Sequence, residues 1–149
     1  MGQYVAIDLR KRRSLVRADE NGERLETIRI ENDPVTLAKV VAAAGDDPEV
    51  VLEATCGWYW ATDVLAEIGA NVHLAHPLGL HWDNRRVKND VRDANALLDM
   101  LRLDMVPEAW IAPPPVREFR EIVRYRAKLV MLRTGLKSQV QGVLTKEWG

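Results

Sequence analysis

Short apolar runs, each bounded by charged or turn-forming residues, fill the first half of the chain. "QYVAIDL" (3–9), "SLVRAD" (14–19) and "RLETIRI" (24–30) predict three strands. The basic turn "RKRR" (10–13) parts the first two, and "NGE" (21–23) is a hairpin signal before the third. A helix is predicted from about Pro34 to Ala44, because proline suits a first turn and Gly45 suits a stop. Beyond it, "EVVLEAT" (49–55) reads as a buried strand, "WYWATDVLAEIG" (58–69) as a helix and "NVHLAH" (71–76) as a further strand. Three meandering strands followed by β–α–β units predict an α/β domain, a mixed sheet with helices packed on it.

The second half is patterned differently. In "RRVKNDVRDANALLDML" (85–101) a basic patch precedes Asp90 and Asp93, and an apolar helix follows. Acidic residues favour the positive end of a helix dipole, so by themselves these two aspartates fit a solvated helix start. A Pro-rich hinge, "APPPV" (112–116), then leads to a last helix of about thirty residues. Ile122, Tyr125, Leu129, Leu132, Leu136, Gln139 and Val143 recur at alternating spacings of three and four, a heptad seam with one polar flaw. A small domain cannot bury so long a helix, and pairing with another helix is expected.

The length of 149 residues suits one domain with a real core, and 47% of the residues are hydrophobic. Net charge is −1, from 21 basic and 22 acidic side chains, and does not itself announce a nucleic-acid binder. The distribution does more. Residues 1–81 hold 8 basic and 13 acidic side chains, whereas 82–149 hold 13 and 9, and the count from Arg117 onward is 8 against 3. A basic second half is a local footprint for a polyanion. The single cysteine, Cys56, excludes an intrachain disulfide and points to the reducing cytoplasm. No apolar run approaches membrane-spanning length, so no membrane partner is expected, and no secretory signal opens the chain.

Two acids sit where strands are apolar, Asp8 in "YVAIDL" and Glu53 in "VVLEAT". A carboxylate there costs several kcal/mol unless a cation or hydrogen bonds compensate it. Either one alone fits a strand edge rescued by arginine. Both lie near the carboxyl ends of their strands, however, and parallel neighbouring strands would bring them to the sheet edge where open α/β folds place their sites. Asp90 and Asp93, three apart on one helix face, supply two further carboxylates. Four such acids suit one or two Mg²⁺ ions, which take hard oxygen ligands and support phosphodiester chemistry.

With "VAIDLRKRRSLV", "VVLEATCGWYW", "VHLAHPL", "RRVKNDVRDANALLDMLR" and "REFREIVRYRAKLVMLRTGLKSQVQGVL" in this order, residues 3–148 resemble the N-terminal domain of the DEDD-type insertion-sequence transposases. These are bridge-RNA-guided serine recombinases related to the pilin-gene invertases. K-x-D-x-x-D-A is the most specific piece of the likeness. The resemblance implies an RNase H-like (RuvC-like) fold with Asp8, Glu53, Asp90 and Asp93 as both the catalytic and the metal-binding tetrad, holding Mg²⁺ or Mn²⁺. It further implies DNA and a structured guide RNA as partners. Residues 1–111 would form the metal-binding domain, and 112–149 the hinge and the start of a coiled coil that forms a homodimer or larger assembly.

Two departures are visible. Family members usually carry glycine where this chain has Cys56, a change beside Glu53 that removes no ligand; Cys56 is expected to be a small buried residue rather than a nucleophile. The family's serine nucleophile lies in a second, C-terminal domain that this chain does not contain, so the fragment alone is expected to be inactive. Ser14 and Ser138 are poor substitutes.

Other constellations are weaker. His73, His76 and His81 fit no common zinc spacing and are expected to be structural. Trp58, Tyr59 and Trp60 could stack on bases, but at least one tryptophan is expected in the core. Arg10, Lys11, Arg12 and Arg13, with Arg85, Arg86 and Lys88, suit a phosphate backbone and a solvated turn equally. Arg117, Arg120, Arg124 and Lys128 follow helical spacing, which RNA contact and simple solubility both explain. Three function classes follow: a recombinase domain, a self-sufficient RuvC-like nuclease, and a non-catalytic nucleic-acid-binding fragment. An actin-like ATPase is excluded, since its first turn needs glycines where this chain has "LRKRRS".

Overall fold

The computed structural model describes residues 3–9, 13–18, 22–55, 57–80 and 90–148, the side chains of 13–16 and 90 excepted. Strands β1 (Tyr4–Asp8), β2 (Arg13–Ala18), β3 (Arg24–Ile30), β4 (Glu49–Glu53) and β5 (Asn71–Ala75) form one sheet in the order β3-β2-β1-β4-β5. The first three make an antiparallel meander, while β1–β4 and β4–β5 are parallel. This is the mixed sheet that the sequence predicts. Parallel pairs need crossovers, and α1 (Pro34–Ala42) and α2 (Trp58–Glu67) supply them.

Helix α1 starts where Asp33 Oδ2 accepts from the Thr36 amide at 2.7 Å and from its hydroxyl at 2.6 Å. It stops at Ala42, two residues short of the prediction, because its last amides tighten into i→i+3 bonds. Ala44 N–H reaches Val41 O at 2.9 Å and Gly45 N–H reaches Ala42 O at 3.3 Å.

Alternation along the strands divides the side chains between two faces. Val5, Ile7, Val50, Leu52 and Leu74 point to one face and pack with Leu37 and Val41 of α1 and Ala61 and Leu65 of α2. Burying an aliphatic side chain of this size contributes about 1.5–3 kcal/mol. Ala6, Ala18, Val51 and Ala75 point to the other face, where they meet Ala94, Leu97, Leu98 and Leu101 of α3 (Asp90–Arg102). The alanines give the α3 backbone room for close approach to the sheet.

The chain divides into two compact units, Met1–Ile111 and Ala112–Gly149. The second is α4 (Pro114–Trp148), a helix of 35 residues. It begins inside the stretch expected to be a hinge. Pro114 and Pro115 fit the first turn, where no amide hydrogen bond is needed, and the amides of Val116 and Arg117 donate to Pro113 O at 3.0 and 3.1 Å. Along α4, Leu129, Leu132, Leu136, Val140 and Leu144 line a shallow groove together with Arg133, Lys137 and Gln141, and Val143 is exposed as well. Among the described residues, no helix is long and apolar enough to cross a membrane.

Candidate active site

Asp8 and Glu53 are the last residues of β1 and β4. These strands are parallel and in register, with Ile7 opposite Leu52, so the two acids follow on the next rung at the carboxyl edge. By alternation Asp8 shares the face of Ala6, and Glu53 that of Val51, both on the α3 side. Helix α3 lies on this face through Ala94, Leu97, Leu98 and Leu101. One turn before Leu97 is Asp93, and one turn before Ala94 is Asp90, the first residue of the helix. The sequence folds this way because a single apolar stripe seats α3 and carries its acidic first turn to the same edge.

Asp8 is 5% exposed and Asp93 is 3% exposed, so these are buried carboxylates and not a solvated helix start. Glu53 is half-buried. Each of the three engages a polar or electrostatic partner within the protein. The Asp90 side chain lies outside the described residues. Among the described residues, no three His, Cys, Asp or Glu side chains are gathered closely enough to hold an ion. The chemistry of the donor set nonetheless suits a hard divalent cation, since all four groups are carboxylates and three come from one sheet edge and the helix packed on it.

Around this edge the backbone is shaped by the turn after β4. Thr55 Oγ1 donates to Leu9 O at 3.5 Å, linking the segments that follow β4 and β1. Gly57 caps α2 at φ +91°, a conformation that side chains disfavour. Trp58 and Trp60 pack against the core cluster, as expected for at least one of them, and the Trp58 and Tyr59 rings meet edge to face, 4.5 Å between centroids. Cys56 lies outside the described residues.

The expected nucleic-acid contacts divide unevenly. Arg10, Lys11, Arg12, Arg85, Arg86 and Lys88 lie outside the described residues, and Arg13 opens β2 with its side chain likewise outside them. On α4, Arg117 is buried at 4% exposure, Arg120 is half-buried, and Arg124 and Lys128 are exposed. Arg124 pairs with Glu121 at 3.0 Å. The exposed cations of that row are therefore Arg124 and Lys128, with Arg117 removed from solvent.

The histidines are structural where described. His76 Nδ1 accepts from the Leu78 amide at 3.2 Å, and His81 lies outside the described residues. His73 stands between two carboxylates, Nε2 2.8 Å from Glu49 Oε2 and Nδ1 2.5 Å from Glu108 Oε1. No motif in the sequence joins these three residues. Half of it was open to inference, because parallel pairing of β4 and β5 sets Glu49 and His73 on the same face; Glu108, 35 residues beyond His73, gives no local signal.

No curated protein matches this sequence. The solved structure of T. thermophilus RuvC in complex with a Holliday junction substrate is similar in fold, with a TM-score of 0.53 and 11% sequence identity over 73% of this chain and 100% of that one. At such identity the likeness speaks for the fold alone, which is RNase H-like (RuvC-like) with a long C-terminal helix added. The family model described as a transposase, that of the DEDD-type IS110 elements, matches residues 5–148. A match over nearly the whole chain decides the family: this protein belongs to the DEDD-type IS110 transposases.

Proposed function

We propose that this chain is the metal-binding part of a DNA recombinase that acts in the cytoplasm, with Asp8, Glu53, Asp90 and Asp93 as ligands for Mg²⁺ or Mn²⁺. The observation that carries the reading is a pair of strand-end acids, Asp8 and Glu53, on the sheet face that α3 covers, with Asp93 buried in the first turn of that helix. When bound, such ions stabilise charge on the attacking and leaving oxygens of a phosphodiester. The protein's own contribution is placement. Asp8 and Glu53 stand on paired strands, and Asp93 on a helix anchored through four apolar residues, so the backbones that carry the carboxylates are held while the side chains draw in around an ion. Burial of Asp8 and Asp93 limits competing water at the same edge.

Residues 1–111 serve as the metal-binding domain, and 112–149 as the connection and the first helix of a coiled coil. DNA is the substrate, and a structured guide RNA selects it. Arg10, Lys11, Arg12, Arg13, Arg85, Arg86 and Lys88, with Arg124 and Lys128, grip phosphates. The apolar line of α4 pairs two copies, and changing Leu129 and Leu136 together to Lys dissociates the dimer in light scattering. A wild-type chain that is monomeric at tens of micromolar contradicts that pairing.

On this reading the 149-residue chain binds branched DNA and traps none covalently. The test is binding and cleavage of a four-way junction with Mg²⁺. Metal-dependent binding lost in Asp8→Asn and Asp93→Asn, without cleavage, supports the reading. Cleavage by this chain alone favours a self-sufficient junction nuclease, a second reading that the RuvC-like fold supports. Binding unaffected by either substitution or by metal favours a non-catalytic module.

A further inference from the structure

The amino end of the same sheet face carries a second charged cluster, which the proposed chemistry does not use. Glu49 opens β4 on the face of Val51 and Glu53, and His73 faces it from β5. Beyond α3, the chain returns to close the open edge of β5. His76 N–H donates to Pro107 O at 2.7 Å, Ala109 N–H donates to Leu74 O at 2.7 Å, and Ala75 forms an antiparallel bridge with Glu108. At the middle of this returning segment the Glu108 carboxylate meets His73 Nδ1, while His73 Nε2 meets Glu49.

Hydrogen-bond stoichiometry makes this arrangement depend on protonation. A neutral imidazole has one N–H and one lone pair, so it donates to one carboxylate and turns its lone pair on the other. Only the imidazolium donates to both. We propose that His73 is a pH-sensitive clasp that, when protonated, pins residues 107–109 to edge strand β5 and, when neutral, releases Glu108.

Glu108 is the group released because Glu49 keeps a second partner. Asn71 Nδ2 donates to both Glu49 oxygens, at 3.0 and 2.8 Å. The Glu108 side chain is 59% exposed, so water readily takes over its hydrogen bond. Facing the ring are Glu49 from β4, Glu108 from the returning segment and the neutral Asn71 along β5. The described residues of α3 and β1 add no charge against it. Burial is the largest single influence on His73 and lowers its pKa. The hydrogen bonds and charges of Glu108 and Glu49 together outweigh burial and hold the imidazole above its ordinary 6.5.

The sign follows from linkage. A histidine whose folded pKa is raised contributes stability in full below its unfolded value of 6.5, and loses that contribution as pH rises through the folded value. The clasp thus holds at pH below 6.5 and opens as pH rises through the raised folded value.

The experiment is amide exchange of the 149-residue chain followed by NMR between pH 5.5 and 9, each rate divided by its intrinsic value. A partly exposed ion pair predicts that protection of Ala109 and His76 falls roughly three- to fivefold across the His73 titration, while Leu74 and Leu52 stay constant. In Glu108→Gln and in His73→Gln the pH dependence disappears, and Glu108→Gln preserves the shape of the site should His73→Gln fold poorly. Protection of Ala109 that is flat with pH in the wild type, or equally pH-dependent in Glu108→Gln, overturns the proposal.

Discussion

The two faces of the central sheet are built from alternate residues of the same strands, yet they do different work. On the α1 and α2 side, β1 and β4 present Val5, Ile7, Val50 and Leu52, all fully buried aliphatics. On the α3 side, the same strands present Ala6 and Asp8, then Glu49, Val51 and Glu53. One face is bulky and chemically silent. The other is thin in the middle, so that a helix lies close, and acidic at both ends. At the amino end a histidine pairs with the acid, and at the carboxyl end Asp8 and Glu53 have a metal ion as their proposed counter-charge. Stability and chemistry are thus divided by the pleat of a strand, at a spacing of one residue.

The comparison breaks first on packing. Leu52→Ala on the bulky face is expected to cost about 2–5 kcal/mol through lost burial and the cavity left behind. Ala6→Leu on the α3 face is expected to cost about 1–3 kcal/mol for the opposite reason, overpacking under a close helix. Urea denaturation monitored by circular dichroism measures both, and a neutral Ala6→Leu would show that α3 does not need the alanines.

A second set of changes concerns the acidic end. A tenfold excess of Mg²⁺ over its dissociation constant adds about 1.4 kcal/mol to a site formed only in the folded state. That is a rise of about 3–6 °C in melting temperature for a chain of this size, and Asp93→Asn removes most of it. A thermal melt with and without millimolar Mg²⁺ checks this. An equal rise in wild type and variant would assign the effect to another site.

The smallest effect belongs to the neutralised end. His73→Gln is expected to remove only about 0.2–1 kcal/mol at pH 6, because the pair is partly exposed. At a pH above the folded pKa, where the wild type has itself lost the charged pair, the difference shrinks towards zero. Denaturant midpoints at the two ends of that range decide the matter; a difference that grows with pH contradicts the assignment.

Much of the fold was legible because it rests on local rules. The strand runs, the hairpin signal at "NGE", the proline start of α1 and the meander-then-βαβ order all have their causes within a few residues. Boundaries strayed where hydrogen bonding overrides pattern, as at the tightened end of α1 and at Pro114 and Pro115, which α4 takes into its first turn. The acids drew notice as misfits in apolar strands, and their common face followed from parallel pairing of β1 with β4. The Glu49–His73–Glu108 cluster was not legible, because one partner arrives on an irregular segment that no periodicity announces. The burial of Arg117 also escaped the reading, since helical spacing counts faces without knowing which of them is covered.

The central claim is that Asp8, Glu53, Asp90 and Asp93 form one divalent-metal site. Mn²⁺ binding to the 149-residue chain, followed by electron paramagnetic resonance in the wild type and in four single Asp→Asn or Glu→Gln variants, tests it most directly. The account predicts saturable binding of one or two ions and weakening by roughly tenfold or more in every variant, as expected when a ligand is removed. Wild-type affinity retained in Asp8→Asn and Asp93→Asn, the two buried members, would contradict it.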